Sequence, residues 1–315
     1  MNIILLGYNG LIGRYILEQL VHNFKNNNDI NVICVGRNNK SKFFKNKIVK
    51  YVKWDFLNFS DAELSFFKKK NIIINCVGKN NNRSKNLKYV NLVFVKKLIN
   101  YLKKKKISSR LIQLGSVSVY DNQNKKLGKI KNITENSKTK AIEIYPKSKL
   151  EADNQIKKSI KINSKKLSYT ILRISNVFGD FENSSAFLFV RFLLNKGIWL
   201  KYSNYTKYHF IHAKDVACAV LKCILNLEKS KNKIYIVSDD QNQLKLHKFY
   251  AKNKDIELLK ISVPSIFFNL LKYFFFSKKI QNLFFTISSE INYDNSKIIK
   301  ELNFKTKYSL EKKII

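Results

Sequence analysis

The sequence predicts an α/β fold, a doubly wound parallel sheet with a smaller C-terminal part, and three observations predict it. The chain opens on MNIILLGYNGLIGRYI: an apolar run, glycines spaced G-x-x-G-x-x-G, then an amphipathic segment. Short runs rich in Ile and Val then alternate with longer amphipathic ones as far as Ile174, the rhythm of βαβ units with right-handed crossovers. Finally, 315 residues at 45% hydrophobic composition suffice for one large core, or a core and a half.

In order, residues 3–6 read as a buried strand and residues 11–23 as a helix. Strands follow over 31–35, 49–52 and 72–76. A long helix is predicted over 87–105, where Val90, Val93, Leu98 and Leu102 fit a face packed on a sheet. Residues 110–114 form a fifth strand, 145–160 a helix and 168–174 a sixth strand. Beyond this the reading is of helices, few strands and longer loops, a part that covers a substrate. Residues 261–287 are strongly apolar, but Lys272, Lys278 and Lys279 interrupt them. They read as core-forming helices, not as a membrane span. The first apolar run is short and lacks a basic flank, so no signal peptide is expected.

The formal charge of +38 invites a nucleic-acid reading. Arginine, however, occurs only at Arg14, Arg37, Arg83, Arg110, Arg173 and Arg191; the rest of the positive charge is lysine, dispersed among Asn, Ile and Phe. That pattern fits codon drift better than a selected groove, so no specific nucleic acid is expected. Cys34, Cys76, Cys218 and Cys223 lack metal-ligand spacing and read as buried thiols in a reducing cytoplasm. His209 and His212 lie in the strand-like YHFIH, and no metal site is expected.

A strand, a glycine turn and a helix N-terminus make a site for a dinucleotide pyrophosphate. Gly7, Gly10 and Gly13 allow close backbone approach, with Leu11, Ile12 and Arg14 in the first helical turn. The second strand ends in Gly36 and Arg37, not in the carboxylate that binds a ribose 2′-hydroxyl. Arginine there suits a 2′-phosphate, so NADP(H) is favoured, with NAD(H) the alternative. Asp55 follows the third strand, within reach of an adenine, and Asn75, Val77 and Gly78 close the fourth beside the cofactor path.

Ser116 falls just past the fifth strand. Tyr145 and Lys149 follow as Y-x-x-x-K, which a helix places on one face. A lysine beside a phenol favours phenolate, so the pair can move a proton at a substrate oxygen. The same spacing recurs at Tyr101/Lys105, Tyr250/Lys254, Tyr293/Lys297 and Tyr308/Lys312, so position, not pattern, selects Tyr145.

On these residues the chain resembles the extended short-chain dehydrogenase/reductase family, which includes nucleotide-sugar epimerases, dehydratases and ketoreductases. NLVFVKKLINYLKKKKISSRLIQLGSVSVYD, opened by Asn91, looks like the helix–strand–serine block, and YPKSKLEAD like the catalytic helix. ILRISNVFG, YHFIHAKDVACAV and YDNSKIIKELNFKTKYSLEKKI resemble the family's later segments, so the protein looks nearly complete.

The resemblance implies a Rossmann domain over 1–176 with 207–237 returning to it, and a substrate-binding part over 177–206 and 238–315. It implies Tyr145 as acid/base and Lys149 as ribose ligand. It also implies Ser116 as substrate-orienting hydroxyl, and Ser118, Asn176 and His212 at the substrate. A homodimer through two long helices per subunit is implied as well.

Dehydratases of this type carry T-D-E at the serine block, whereas Ser116, Val117 and Ser118 stand here. That leaves epimerases and 4-ketoreductases. Gly36 and Arg37 lean toward reduction, and the C-terminal segment resembles 4-ketoreductases acting on UDP-linked sugars, so the expectation is a 4-ketoreductase acting on a UDP-linked sugar for surface polysaccharide. The alternatives are a 4-epimerase that retains NAD, or, from another class, a non-enzymatic NADP-binding or RNA-binding relative.

Overall fold

The computed structural model describes residues 1–37, 46–59, 64–67, 70–80, 85–120, 130–162, 166–180, 184–263 and 288–310. The apolar runs form a seven-stranded parallel sheet. Its strands are β1 (Asn2–Leu6), β2 (Asn31–Gly36), β3 (Val49–Lys53), β4 (Lys70–Asn75), β5 (Ser108–Ser116), β7 (Leu167–Ile174) and β11 (Lys233–Val237). They lie in the order β11-β7-β5-β4-β1-β2-β3. β1 lies between β2 and β4, with β2-β3 built to one side and β4-β5 to the other, so the strand order reverses at β1, and the crevice beyond its carboxyl end is where such sheets hold ligands.

The strands are apolar on both sides because helices cover both. Ile3, Leu5, Val32, Cys34 and Ile74 face α1 (Leu11–Phe24), α5 (Ala213–Leu225) and α7 (Ser296–Leu302). The alternate residues Ile4, Leu6, Ile33, Val35 and Ile73 face α2 (Phe94–Lys104) and α3 (Ile144–Ile162). This is why the strands read as continuous hydrophobic runs, without alternation.

The helix predicted over 87–105 is two pieces. A π-helical turn, Tyr89–Val93, runs into α2. Asn91 sits in that turn, its side chain bonded to the backbone of Lys79, 2.9 Å on both the donor and the acceptor side.

The expectation of few strands after Ile174 fails. Among the described residues there are β8 (Asn176–Phe178), β9 (Ile198–Lys201), β10 (Lys207–His212), β12 (Asp239–Asn242), β13 (Leu259–Ser262) and β14 (Ile291–Tyr293) besides β11. Apart from β11, and from β10, which covers the strand-like YHFIH, these strands run to three or four residues, too short for an alternating pattern to declare itself. They pair as β12-β10-β8, β13-β9 and β14-β6, with β6 spanning Lys131–Ile133. β10 therefore lies in a small sheet, and the return to the large one runs through α5 and β11. Helices α4 (Ser185–Asn195) and α6 (Gln243–Lys254) pack on this small sheet through Phe187, Val190, Leu246 and Tyr250. The core helices expected within 261–287 fall almost wholly outside the described residues.

Candidate active site

The glycine turn folds as its residue types require. Gly7 has φ +81°, a conformation that side-chain-bearing residues avoid. A Cβ at Gly13 would sit 2.2 Å from the Gly7 carbonyl oxygen, so only glycine lets α1 start this close to β1. Gly10 caps α1 with extended backbone, and its carbonyl accepts from the Arg14 N–H. No acidic residue occupies the first turn of α1, which leaves its positive end free for an anion. Leu11, Ile12 and Arg14 are half-buried around it.

Toward the end of β2, Tyr8 is fully buried beneath Gly36, whose Cβ position lies 2.9 Å from the Tyr8 ring. Arg37 is exposed just beyond, and Arg14 donates through Nε to the Asn9 carbonyl. Asp55 is tied into a local turn, accepting from the Leu57 N–H at 3.1 Å. Asn75 is buried; its amide donates to Gln113 at 2.8 Å and its oxygen accepts from the Val77 N–H at 3.1 Å. The turns after β1 and β4 abut, with Val77 3.3 Å from the Cβ position of Gly7.

The structure brings Ser116, Tyr145 and Lys149 together beside this crevice. Ser116 ends β5, and its hydroxyl is hydrogen-bonded to the Tyr145 phenol and lies 2.9 Å from that of Ser118. Burial pushes the Tyr145 phenol up from its ordinary value; the bond to Ser116 opposes this. Lys149 is buried and donates from Nζ to the Leu114 carbonyl at 3.1 Å. Its Nζ lies 3.2 Å from the Cβ position of Gly78, so the lysine reaches the turn after β4 where the cofactor path was expected. Burial pushes Lys149 down, and the charge of Asp153 pulls it back. Asn91 Nδ2 donates to Ser148, the residue before Lys149, at 3.0 Å.

Asn176 is exposed at the start of β8, opposite Phe210. His212 is buried at the N-terminus of α5. Its Nδ1 accepts from the Lys214 N–H at 3.0 Å, and its ring packs on Tyr308 and Phe178. Asp153 and Arg173, buried behind Lys149, were not singled out for chemistry, although Asp153 continues the helical spacing of Tyr145 and Lys149. Among the described residues no group of His, Cys, Asp and Glu forms a metal site, and the four cysteines are free.

The residues fit a dinucleotide: a collision-limited glycine turn, a helix end without acid, and a buried lysine opposite the turn after β4. Residues 3–238 match the model of the NAD dependent epimerase/dehydratase family. No curated protein sequence matches the chain. Similar solved structures include a dTDP-glucose 4,6-dehydratase from Bacillus anthracis in complex with NAD, at 16% identity and TM-score 0.70, covering 100% of this chain and 94% of that one. A UDP-glucuronic acid 4-epimerase from Bacillus cereus in complex with NAD is 14% identical, with TM-score 0.71 and coverage of 100% and 96%. A UDP-glucose 4-epimerase from Thermotoga maritima with UDP-glucose is 16% identical, with TM-score 0.69 and the same coverage. At these identities the likeness establishes the fold.

Proposed function

The chain belongs to the NAD dependent epimerase/dehydratase family, and from that premise we propose that it is a 4-ketoreductase that uses NADPH on a UDP-linked sugar. It is an NAD(P)-dependent enzyme of the extended short-chain dehydrogenase type. The observation that carries the finer reading is the makeup of two places. The Ser116–Ser118 turn offers two hydroxyls and no carboxylate, which removes the acid and base a dehydration needs. The end of β2 offers Gly36 and an exposed Arg37, which favours a 2′-phosphate over a bare ribose.

Residues 7–14 would hold the pyrophosphate, Arg37 the adenosine end, and Lys149 the nicotinamide ribose. A bound nicotinamide supplies hydride to a carbonyl carbon. Tyr145 gives its proton to the carbonyl oxygen. Its burial favours the protonated phenol, the form an acid must hold before the reaction. Ser116 orients the oxygen, and the Lys149 charge steadies the phenolate that remains. Ser118 and Asn176 are assigned to the sugar nucleotide. The 1–176 and 207–237 segments serve the cofactor, and 177–206 with 238–315 the substrate. Free thiols agree with a cytoplasmic setting, the substrate being destined for surface polysaccharide.

A second reading is favoured by the NAD found in two similar structures: an epimerase that returns hydride to the opposite face and retains its cofactor. The protein is denatured and the released nucleotide identified by mass spectrometry, beside NADH and NADPH titrations. An empty protein that prefers NADPH, and loses that preference in Arg37→Asp, supports the reductase. Stoichiometric NAD in the purified protein sinks it in favour of the epimerase.

A further inference from the structure

Helix α3 places Tyr145, Lys149 and Asp153 one helical step apart, so the three share a face. Asp153 is 1% exposed and Arg173, from β7, is 2% exposed. Arg173 Nε donates to Asp153 Oδ2 at 3.1 Å, and its guanidinium lies 4.8 Å from the centre of the Tyr120 ring. The second carboxylate oxygen, Oδ1, is fully buried and has no hydrogen-bond partner among the described residues. It lies 3.4 Å from the Cβ position of Gly115, the residue before Ser116. In the sheet Gly115 is level with Arg173, and Ser116 with Ile174. The carboxylate is thus wedged between the strand that carries the serine and the helix that carries the tyrosine and lysine.

A buried carboxylate with one unbonded oxygen is costly unless cations nearby offset it. Three act on it: Arg173 by direct contact, Lys149 and Lys157 by charge. Lys149 has the mirror problem: among the described residues its Nζ donates one hydrogen bond, to the Leu114 carbonyl, which leaves a buried ammonium underserved.

We propose that Asp153, fixed by Arg173, is a positioning residue whose charge steadies the Lys149 ammonium from one helical turn behind it, without direct contact, where it faces Tyr145 and the cofactor crevice. The proposal rests on the enzymatic reading for its purpose and on the buried geometry for its substance. The groups that interact with Lys149 or Asp153 by charge are Tyr145 and Lys157 on α3, Cys76 after β4, Tyr169 and Arg173 on β7, and Tyr120. None of these is a carboxylate, so removing the Asp153 charge takes from Lys149 the one carboxylate that acts on it among the described residues.

The test reads Lys149 directly and needs neither substrate nor cofactor. Protein labelled with ¹³C-lysine is titrated by NMR, and the Lys149 ε-carbon signal is assigned by its loss in Lys149→Met. Asp153→Asn should lower the Lys149 midpoint by about one pH unit or more, the usual size for loss of an adjacent opposite charge. Asp153→Asn leaves Arg173 buried and unpaired, so the double variant Asp153→Asn/Arg173→Met is measured beside it. A fall in the same direction is expected there, and it decides the matter if the single variant does not fold. An unchanged midpoint in a folded variant overturns the proposal and leaves the enzymatic reading intact. A lowered midpoint in a protein that binds neither NADH nor NADPH upholds the Asp153–Lys149 coupling and sinks the enzymatic reading instead.

Discussion

Tyr145→Phe removes one hydroxyl and leaves the ring, the helix and Lys149 in place. Turnover on a 4-keto nucleotide sugar should fall by about 100-fold or more, the usual range for losing a general acid. NADPH affinity, held by the glycine turn and Lys149, should barely change. Retention of most activity would show that another group delivers the proton. Ser116, Tyr145 and Lys149 were legible because each sits at a fixed place in the chain's own rhythm, after a strand or at the start of a helix. Arg173 was not legible as the partner of Asp153, because that pairing joins α3 to β7, and no spacing in the sequence announces a contact between them. His212, expected at the substrate, is buried with its Nδ1 capping α5. The sequence pattern YHFIH marks a strand end and says nothing of what the ring meets there.

The central strands were legible as elements because burial on both faces forces unbroken apolar runs such as IILL and NVICV. The π turn at Tyr89–Val93 was not, since Asn91 is engaged by Lys79, which lies outside the helix. Of the small sheet, β10 was legible in YHFIH, whereas its partners β8 and β12, three and four residues long, were too short to read.

That small sheet carries a testable pH dependence. His247 on α6 is buried between Trp199 of β9 and Tyr208 of β10, with Nε2 3.2 Å from the Tyr208 hydroxyl. Burial pushes its pKa from 6.5 down to about 3. Between those two values the unfolded chain takes up a proton that the folded one refuses, so stability falls as pH falls. Each pH unit in that window costs about 1.4 kcal/mol. His247→Phe removes the titration, whatever constant cost it adds through Tyr208. The stability gap between the native protein and this variant should therefore narrow by about 2 kcal/mol from pH 7 to pH 5, measured by denaturant unfolding. An equal gap at both pH values would mean that the folded protein protonates His247 freely.

At the scale of the whole molecule the dominant quantity is charge: 60 Lys and Arg against 22 Asp and Glu. The ion pairs among the described residues do little to offset it. Lys231–Glu228 and Lys233–Glu301 are partly exposed and weak, and of the Lys and Arg pairs among the described residues only Arg173–Asp153 is deeply buried. Self-repulsion therefore outweighs attraction at the surface, and salt, which screens both, should raise the melting temperature. The same excess must attract any polyanion, and here the enzymatic and RNA-binding readings part. A charge-only interaction with poly(U) should lose about a thousandfold in affinity between roughly 50 and 200 mM salt, since each neutralised phosphate releases counterions. It should also ignore NADPH, whose site needs the glycine turn rather than a dispersed lysine surface. Both titrations use the intact protein and a fluorescent polynucleotide. Binding that survives physiological salt and is competed by NADPH would place RNA at the dinucleotide crevice, and the enzyme-first reading of this fold would give way to the binding one.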